Sequence, residues 1–217
     1  MITWITGWPH NGSTLVRQIM KDSLGLQTYS LYAEPNFKYL FGDLVEEFAR
    51  NWGTNPQFRL EYFRDRPEMY YIKTHNPPLF GDDSRAIYVL RDGRDCMTAL
   101  SQFWTIPIRS AIAGVGVQFG GFSEHYYTWD PENRPNTTVV RFEDMVNVPN
   151  MVVDNLVDFL GVKKIADYVD DFEENVKVWP KLFHDRIGCW KKRMSAADIA
   201  LFDKCHGQLM REVGYYE

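Results

Sequence analysis

Short apolar runs alternate along this chain with longer stripes at helical spacing. Residues 2–6 (Ile-Thr-Trp-Ile-Thr) read as a buried strand, and a loop bounded by Gly7 and Gly12 follows. Over 13–24, Leu15, Ile19, Met20 and Leu24 share one helical face, with Arg17, Lys21 and Asp22 off it and Gly25 as the stop. Further strands are predicted at 69–73, 85–90 and 137–141. Helices are predicted at 93–104, limited by Pro107, at 121–129, at 149–160 ahead of Gly161, and at 195–213. Ser195 and Asp198 have the spacing of a capping box at the last start. Residues 30–67 are rich in aromatics and helical in part, around 37–51 and 57–65. Asn76-Pro77-Pro78 is loop, because proline removes a donor and restricts the residue before it. The stretch 114–121 holds four glycines and is expected to be mobile or tightly turned. Strands separated by helices predict an α/β fold, a three-layer αβα arrangement around a mostly parallel sheet. With no repeat or linker, one domain over residues 1–217 is expected.

Composition narrows the partners. The net charge is −5 and no long Lys/Arg run occurs, so nucleic acid is not expected and an anionic ligand must be held by local groups. Aromatic content of 15% is enough to wall a pocket for a flat ligand as well as to fill a core. Cys96, Cys189 and Cys205 form neither a disulfide framework nor a zinc pattern, which predicts a reducing, cytoplasmic setting. The expectation is for no secretory leader and no membrane partner, since no run reaches the ~18–20 apolar residues of a span. No metal constellation is visible.

The strand–loop–helix opening carries the first chemistry. In Gly7-Trp8-Pro9-His10-Asn11-Gly12-Ser13-Thr14, glycines let backbone N–H groups turn toward a phosphate, the helix adds its positive end, and Ser13 and Thr14 add hydroxyls. Gly7 and Gly12 have Walker A spacing, but Ser13 stands where that pattern needs lysine. A structural glycine turn is the plainer alternative.

Pro9-His10-Asn11-Gly12-Ser13-Thr14 resembles the first motif of the PAPS-dependent sulfotransferases (PAPS, 3′-phosphoadenosine 5′-phosphosulfate). There a proline, a basic residue and Ser-Gly-Thr-Thr bind the 5′-phosphosulfate. His10 replaces the usual Lys or Arg, Asn11 the Ser, and Leu15 the tryptophan that stacks on adenine. Ile72-Lys73-Thr74-His75-Asn76-Pro77 is similar to the Lys-Thr-His segment, whose histidine is the catalytic base. Tyr88-Val89-Leu90-Arg91-Asp92-Gly93-Arg94-Asp95 resembles the 3′-phosphate motif, with Gly93 in place of a proline. Val140-Arg141-Phe142-Glu143-Asp144-Met145 and the segment from Gly188 to Tyr215 extend the match in order.

The resemblance implies a transfer of sulfuryl from PAPS to a hydroxyl or amine of a small-molecule or glycan acceptor, releasing 3′,5′-ADP (PAP). It assigns His75 as base, with Lys73 toward the transferring sulfonate and His10 toward the leaving phosphate. It puts Pro9, His10, Asn11, Gly12, Ser13, Thr14 and Leu15 around the 5′ end, with amides 11–14 on the phosphate. Arg91 takes the 3′-phosphate, and Phe142 belongs to the same donor site. The family's second 3′-phosphate serine is Ala99 here, with Thr98 and Ser101 as neighbours offering a hydroxyl. Its Arg-Lys-Gly is Phe183-His184-Asp185, leaving Arg186 as the nearest cation. Arg94 and Asp95 are expected to be structural. Tyr32, Phe37, Tyr39, Phe41, Trp104 and Phe119 are either acceptor walls or core. Two alternatives stay open: a domain that binds PAP or PAPS without turnover, and a P-loop small-molecule kinase. A histidine at position 10 helps a leaving phosphate as a cation only when protonated, so activity is expected to fall with rising pH more steeply than in a His10→Lys variant.

Overall fold

The computed structural model describes residues 1–32, 66–79, 81–170 and 186–216. Five strands, β1 (Ile2–Thr6), β2 (Thr28–Ser30), β3 (Tyr70–Lys73), β4 (Arg85–Leu90) and β5 (Thr137–Arg141), form one sheet in the order β2-β3-β1-β4-β5. Every pairing is parallel, so all strand C-termini share one edge. The described helices are α1 (Ser13–Leu24), α2 (Gly93–Trp104), α3 (Ile108–Ile112), α4 (Phe122–Trp129), α5 (Phe142–Asn147), α6 (Pro149–Leu160), α7 (Trp190–Arg193) and α8 (Ala196–Glu212).

Alternation along the strands splits the core in two. Trp4, Ile72, Tyr88 and Leu90 face a layer built from α2, α3, α4 and α8, including Met97, Leu100, Phe122, Trp129, Phe202 and Met210. Ile5, Tyr71, Ile87, Val89 and Val140 face α1 and α6, through Val16, Ile19, Met20, Val153 and Leu156. The result is the three-layer αβα arrangement expected from the sequence.

The four predicted strands and five predicted helices that fall on described residues are present, most within a residue of their expected bounds. β2, α3, α5 and α7 were not predicted; each has six residues or fewer, too short for a periodic signal. The helices expected around 37–51 and 57–65 lie outside the described residues. The glycine stretch resolves in favour of tight turns, with Gly114, Gly116 and Gly120 all at positive φ. The Ser195 capping box forms, with Ser195 Oγ accepting the Asp198 amide at 3.2 Å and Asp198 Oδ2 accepting the Ser195 amide at 3.2 Å.

Arg94 and Asp95 are structural. Arg94 pairs with Asp92, the N-cap of α2, and lies over the rings of Trp190 and Tyr216. Asp95 is fully buried and accepts the amides of Gly188 at 2.7 Å and Trp190 at 3.0 Å. These bonds fasten the chain after 186 to α2, beside Arg91. Asp95→Ala strands two amides, and is expected to lower stability by about 2–3 kcal/mol in denaturant melts. A variant melting like the parent would contradict this anchoring role.

Candidate functional site

The central strand β1 ends at Thr6, and the next six residues turn sharply into α1. Gly7 (φ 142°), His10 (φ 63°) and Gly12 (φ 103°) all lie in the left-handed half of backbone space. Gly12 has a second reason to be glycine, since a Cβ there would be driven into the Phe142 ring. Asn11, 1% exposed, braces the loop: its Nδ2 donates to the carbonyls of Thr6 (3.2 Å) and Val89 (3.0 Å), and its Oδ1 accepts the Ser13 amide (3.0 Å). The Asn11 amide donates to the Trp8 carbonyl at 3.2 Å. The expectation that amides 11–14 all face a ligand is therefore corrected: those of 11 and 13 are spent inside the loop. The Gly12 and Thr14 amides are not used within it. The N-cap residue Gly12 has no side chain to cap α1, and of its opening amides Asn11 takes only that of Ser13, so the Thr14 amide and the helix's positive end face the loop.

Trp8, between Gly7 and Pro9, went unnoticed in the sequence. It is buried, donates Nε1–H to the Gly120 carbonyl at 3.0 Å and stands edge-on to Phe122. It ties the loop to the glycine-rich turns. Leu15 is buried in the core cluster with Ile5 and Val16, so it does not offer the stacking surface of the tryptophan it replaces.

Lys73 ends β3, paired with Ile5, and is 8% exposed, with its ammonium 5.9 Å from the Tyr32 ring centre. Two residues on, His75 is equally buried. Its Nδ1 lies 2.7 Å from the Gly7 carbonyl, which can only accept, so the proton sits on Nδ1 and the lone pair on Nε2. The Tyr32 hydroxyl accepts the His75 amide at 2.7 Å, and the two rings stack at 5.7 Å. Phe119 approaches both rings. Of the aromatics expected as acceptor wall or core, Tyr32 and Phe119 thus meet His75. Trp104 packs against the core, and Phe37, Tyr39 and Phe41 lie outside the described residues.

Arg91 follows β4 and is 5% exposed. Its guanidinium lies 4.2 Å from the Phe142 ring centre and donates to the carbonyls of His10 (3.0 Å) and Arg186. Phe142 thus packs against both Arg91 and the loop at Gly12. The Arg186 side chain pairs with Asp170, so at Arg91 that residue presents its carbonyl rather than its cation. Phe183, His184 and Asp185 lie outside the described residues. Neither hydroxyl near Ala99 is left to replace a serine: Thr98 donates to the Arg94 carbonyl at 2.8 Å and Ser101 to the Ile106 carbonyl at 2.6 Å.

His10 sits edge-on to Phe103 at 5.1 Å. Burial, with Arg91 and then Lys73 nearby, pushes its pKa down to about 3. The imidazole is therefore neutral near pH 7, and the fixed positive charge at the loop comes from Arg91 and Lys73. In the ligand-free protein His10 therefore adds no charge to the loop near neutral pH.

Residues 2–214 match the sulfotransferase domain family. This chain belongs to that family. No curated protein matches it by sequence. Among solved structures, it resembles mouse sulfotransferase SULT7A1 complexed with PAP, at 15% identity and a TM-score of 0.63, over 97% of this chain and 84% of that one. Retinol dehydratase in complex with androsterone and inactive cofactor PAP gives 14% identity and a TM-score of 0.66, over 97% and 81%. The sulfotransferase domain from the curacin biosynthetic pathway gives 15% and 0.51, over 100% and 98%. These likenesses show a shared fold. Among the described residues no group of metal-ligating side chains occurs, and no helix is long and apolar enough to cross a membrane. The three cysteines are free thiols.

The His10 shift has a consequence for stability. Its folded pKa lies below the ~6.5 of an exposed histidine, so the unfolded chain binds more protons below that value. The contribution is fully present above about pH 6.5 and is lost as pH falls toward the folded value. Wild type is expected to lose melting temperature more steeply than His10→Gln between about pH 6.5 and pH 4. Equal slopes would mean that His10 is not held neutral.

Proposed function

We propose that this protein is a single-domain sulfotransferase moving a sulfuryl group from PAPS to a hydroxyl or amine of a small-molecule acceptor, in the reducing cytoplasm. The observation that carries this is the contact between His75 Nδ1 and the Gly7 carbonyl. It joins the base to the phosphate loop and aims the Nε2 lone pair. The residues present suit the donor: Arg91 and Lys73 are buried cations at one sheet edge, beside a loop whose Gly12 and Thr14 amides open at the positive end of α1.

The donor supplies the sulfuryl group, and PAP departs. His75 takes the acceptor proton at Nε2 as the acceptor oxygen or nitrogen bonds to sulfur and the bond from sulfur to the 5′-phosphate oxygen breaks. The amides of Gly12 and Thr14, with the hydroxyls of Ser13 and Thr14, hold that phosphate; Asn11 and Pro9 shape the loop. Lys73 faces the sulfonate, and Arg91, flattened on Phe142, holds the 3′-phosphate. His10 offers an N–H to the leaving phosphate, whose negative charge opposes the lowering of its pKa by burial, Arg91 and Lys73. Rates in such loose transfers come from alignment and from charge stabilisation on the leaving side. Tyr32 and Phe119 beside His75 favour an acceptor with an apolar or aromatic body.

PAP is expected to raise the melting temperature, and ATP with Mg²⁺ is not. Gly12→Ala, forced into a left-handed conformation against Phe142, is expected to lose the PAP shift. A shift with ATP–Mg²⁺ alone would favour the kinase alternative. In radiolabel transfer from PAPS to a panel of phenols, alcohols and amines, His75→Ala is expected to lower kcat by about 10²–10⁴-fold while keeping the PAP shift. PAP binding without any transfer by wild type would identify a binding domain instead.

A further inference from the structure

Helix α4 reaches into the site from the sheet's far face. His125 is 1% exposed, and its Nε2 lies 3.0 Å from the carbonyl oxygen of His75. Its Nδ1 lies 3.0 Å from the Tyr88 hydroxyl. The direction of this chain is fixed by its ends. The His75 carbonyl can only accept, so Nε2 carries the proton and Nδ1 must accept from Tyr88. One turn later on the same face, Trp129 donates Nε1–H to the Asn76 carbonyl at 3.0 Å. Two donors on one rigid helix thus grip two consecutive carbonyls. Tyr88 belongs to β4 and pairs in register with Thr6, the residue before Gly7. The tyrosine that orients His125 therefore stands on the strand beside the one that leads into Gly7.

We infer that His125, oriented by Tyr88 and seconded by Trp129, is a positioning residue for the base: it holds the His75 backbone so that the ring keeps Nδ1–H on Gly7 and Nε2 toward the acceptor. The inference rests on the assignment of His75 as base. Its logic is mechanical. Without α4's donors the turn at 75–76 is restrained by the Tyr32 hydroxyl on the His75 amide and by Thr74 Oγ1 on the Asn76 amide. Neither of those touches the two carbonyls. A buried imidazole is a demanding way to fill core volume that phenylalanine would fill without a polar partner. Burial lowers its pKa to about 4 while the carbonyl contact opposes that, so it serves as a neutral donor with fixed tautomer.

The test compares His125→Phe, which keeps the ring volume, with His125→Gln, whose amide can place a donor where Nε2–H stands. Displacements of about 1 Å at a reacting group cost on the order of 10²-fold. His125→Phe is therefore expected to lower kcat by about 10–100-fold with little change in the KM for PAPS or in the PAP-induced melting shift. His125→Gln should recover most of the rate, and Trp129→Phe should show a smaller loss of the same kind. A readout independent of turnover is nitrogen NMR of the histidine rings in the PAP complex. Wild type and His125→Gln should show one Nδ1–H tautomer at His75, and His125→Phe a mixture. Unchanged kcat and tautomer in His125→Phe would overturn the inference. So would a rate loss that His125→Gln fails to recover, or one matched by loss of PAP binding and fold. If wild type shows no transfer, the assignment of His75 as base fails, while the NMR comparison still decides whether His125 orients the ring.

Discussion

Asn11 donates to the last carbonyl of β1 and to the Val89 carbonyl in β4, while its own oxygen receives the amide that opens α1. One buried carboxamide thus joins two parallel strands and a helix start. The loop around it has three residues at positive φ and few internal amide bonds, so it would not hold its shape alone. Everything at the site leans on that shape. Gly7 must offer its carbonyl to His75, His10 must offer its carbonyl to Arg91, and Gly12 must clear Phe142. The brace adds a side-chain donor to one carbonyl at the end of each of two adjacent strands, and replacing Asn11 would leave the carboxamide's bonds unmade at a buried point, a loss of about 1–3 kcal/mol per group.

The electrostatic design around the loop sets permanent cations beside imidazoles at His10 and His125 whose pKa values burial lowers. Arg91 and Lys73 are the fixed charges, and they act together with burial to keep His10 neutral. His75, His125 and His10 then differ by the partners their nitrogens meet. A carbonyl sets the tautomer of His75 directly. For His125 a tyrosine at one nitrogen and a carbonyl at the other agree on a single direction. In a buried setting such agreement rigidifies, because each reversed bond would leave two lone pairs or two protons facing each other.

The C-terminal segment is coupled to the same edge by polar bonds. Asp95 holds the amides of 188 and 190, Arg91 holds the carbonyl of 186, and Glu143 accepts both the Asp92 amide and the Tyr215 hydroxyl. Burial raises the Glu143 carboxyl, while Tyr215, the Asp92 amide and Arg91 oppose that rise. The start of α2, the start of α5 and the last described residues are therefore tied together by polar bonds around Arg91.

The sequence by itself determined the layered fold, because strand and helix periods differ and each long element repeats its own. It also determined the order of the phosphate loop, Lys73, His75 and Arg91, since each closes a legible strand and parallel strands bring their ends to one edge. The spacing of His125 and Trp129 was equally open to inspection, as two polar-tipped rings one turn apart on a predicted helix. Their partners were not, lying 50 and 53 residues away. Tertiary structure alone decided that Asn11 is a brace, that Leu15 is core, that Arg186 turns to Asp170, and that Thr98 and Ser101 are engaged. It decided too that burial, Arg91 and Lys73 lower the pKa of His10. The physical reason is common to all of these: a residue's type states which bonds and charges it can offer, but burial and long-range neighbours select which one it makes.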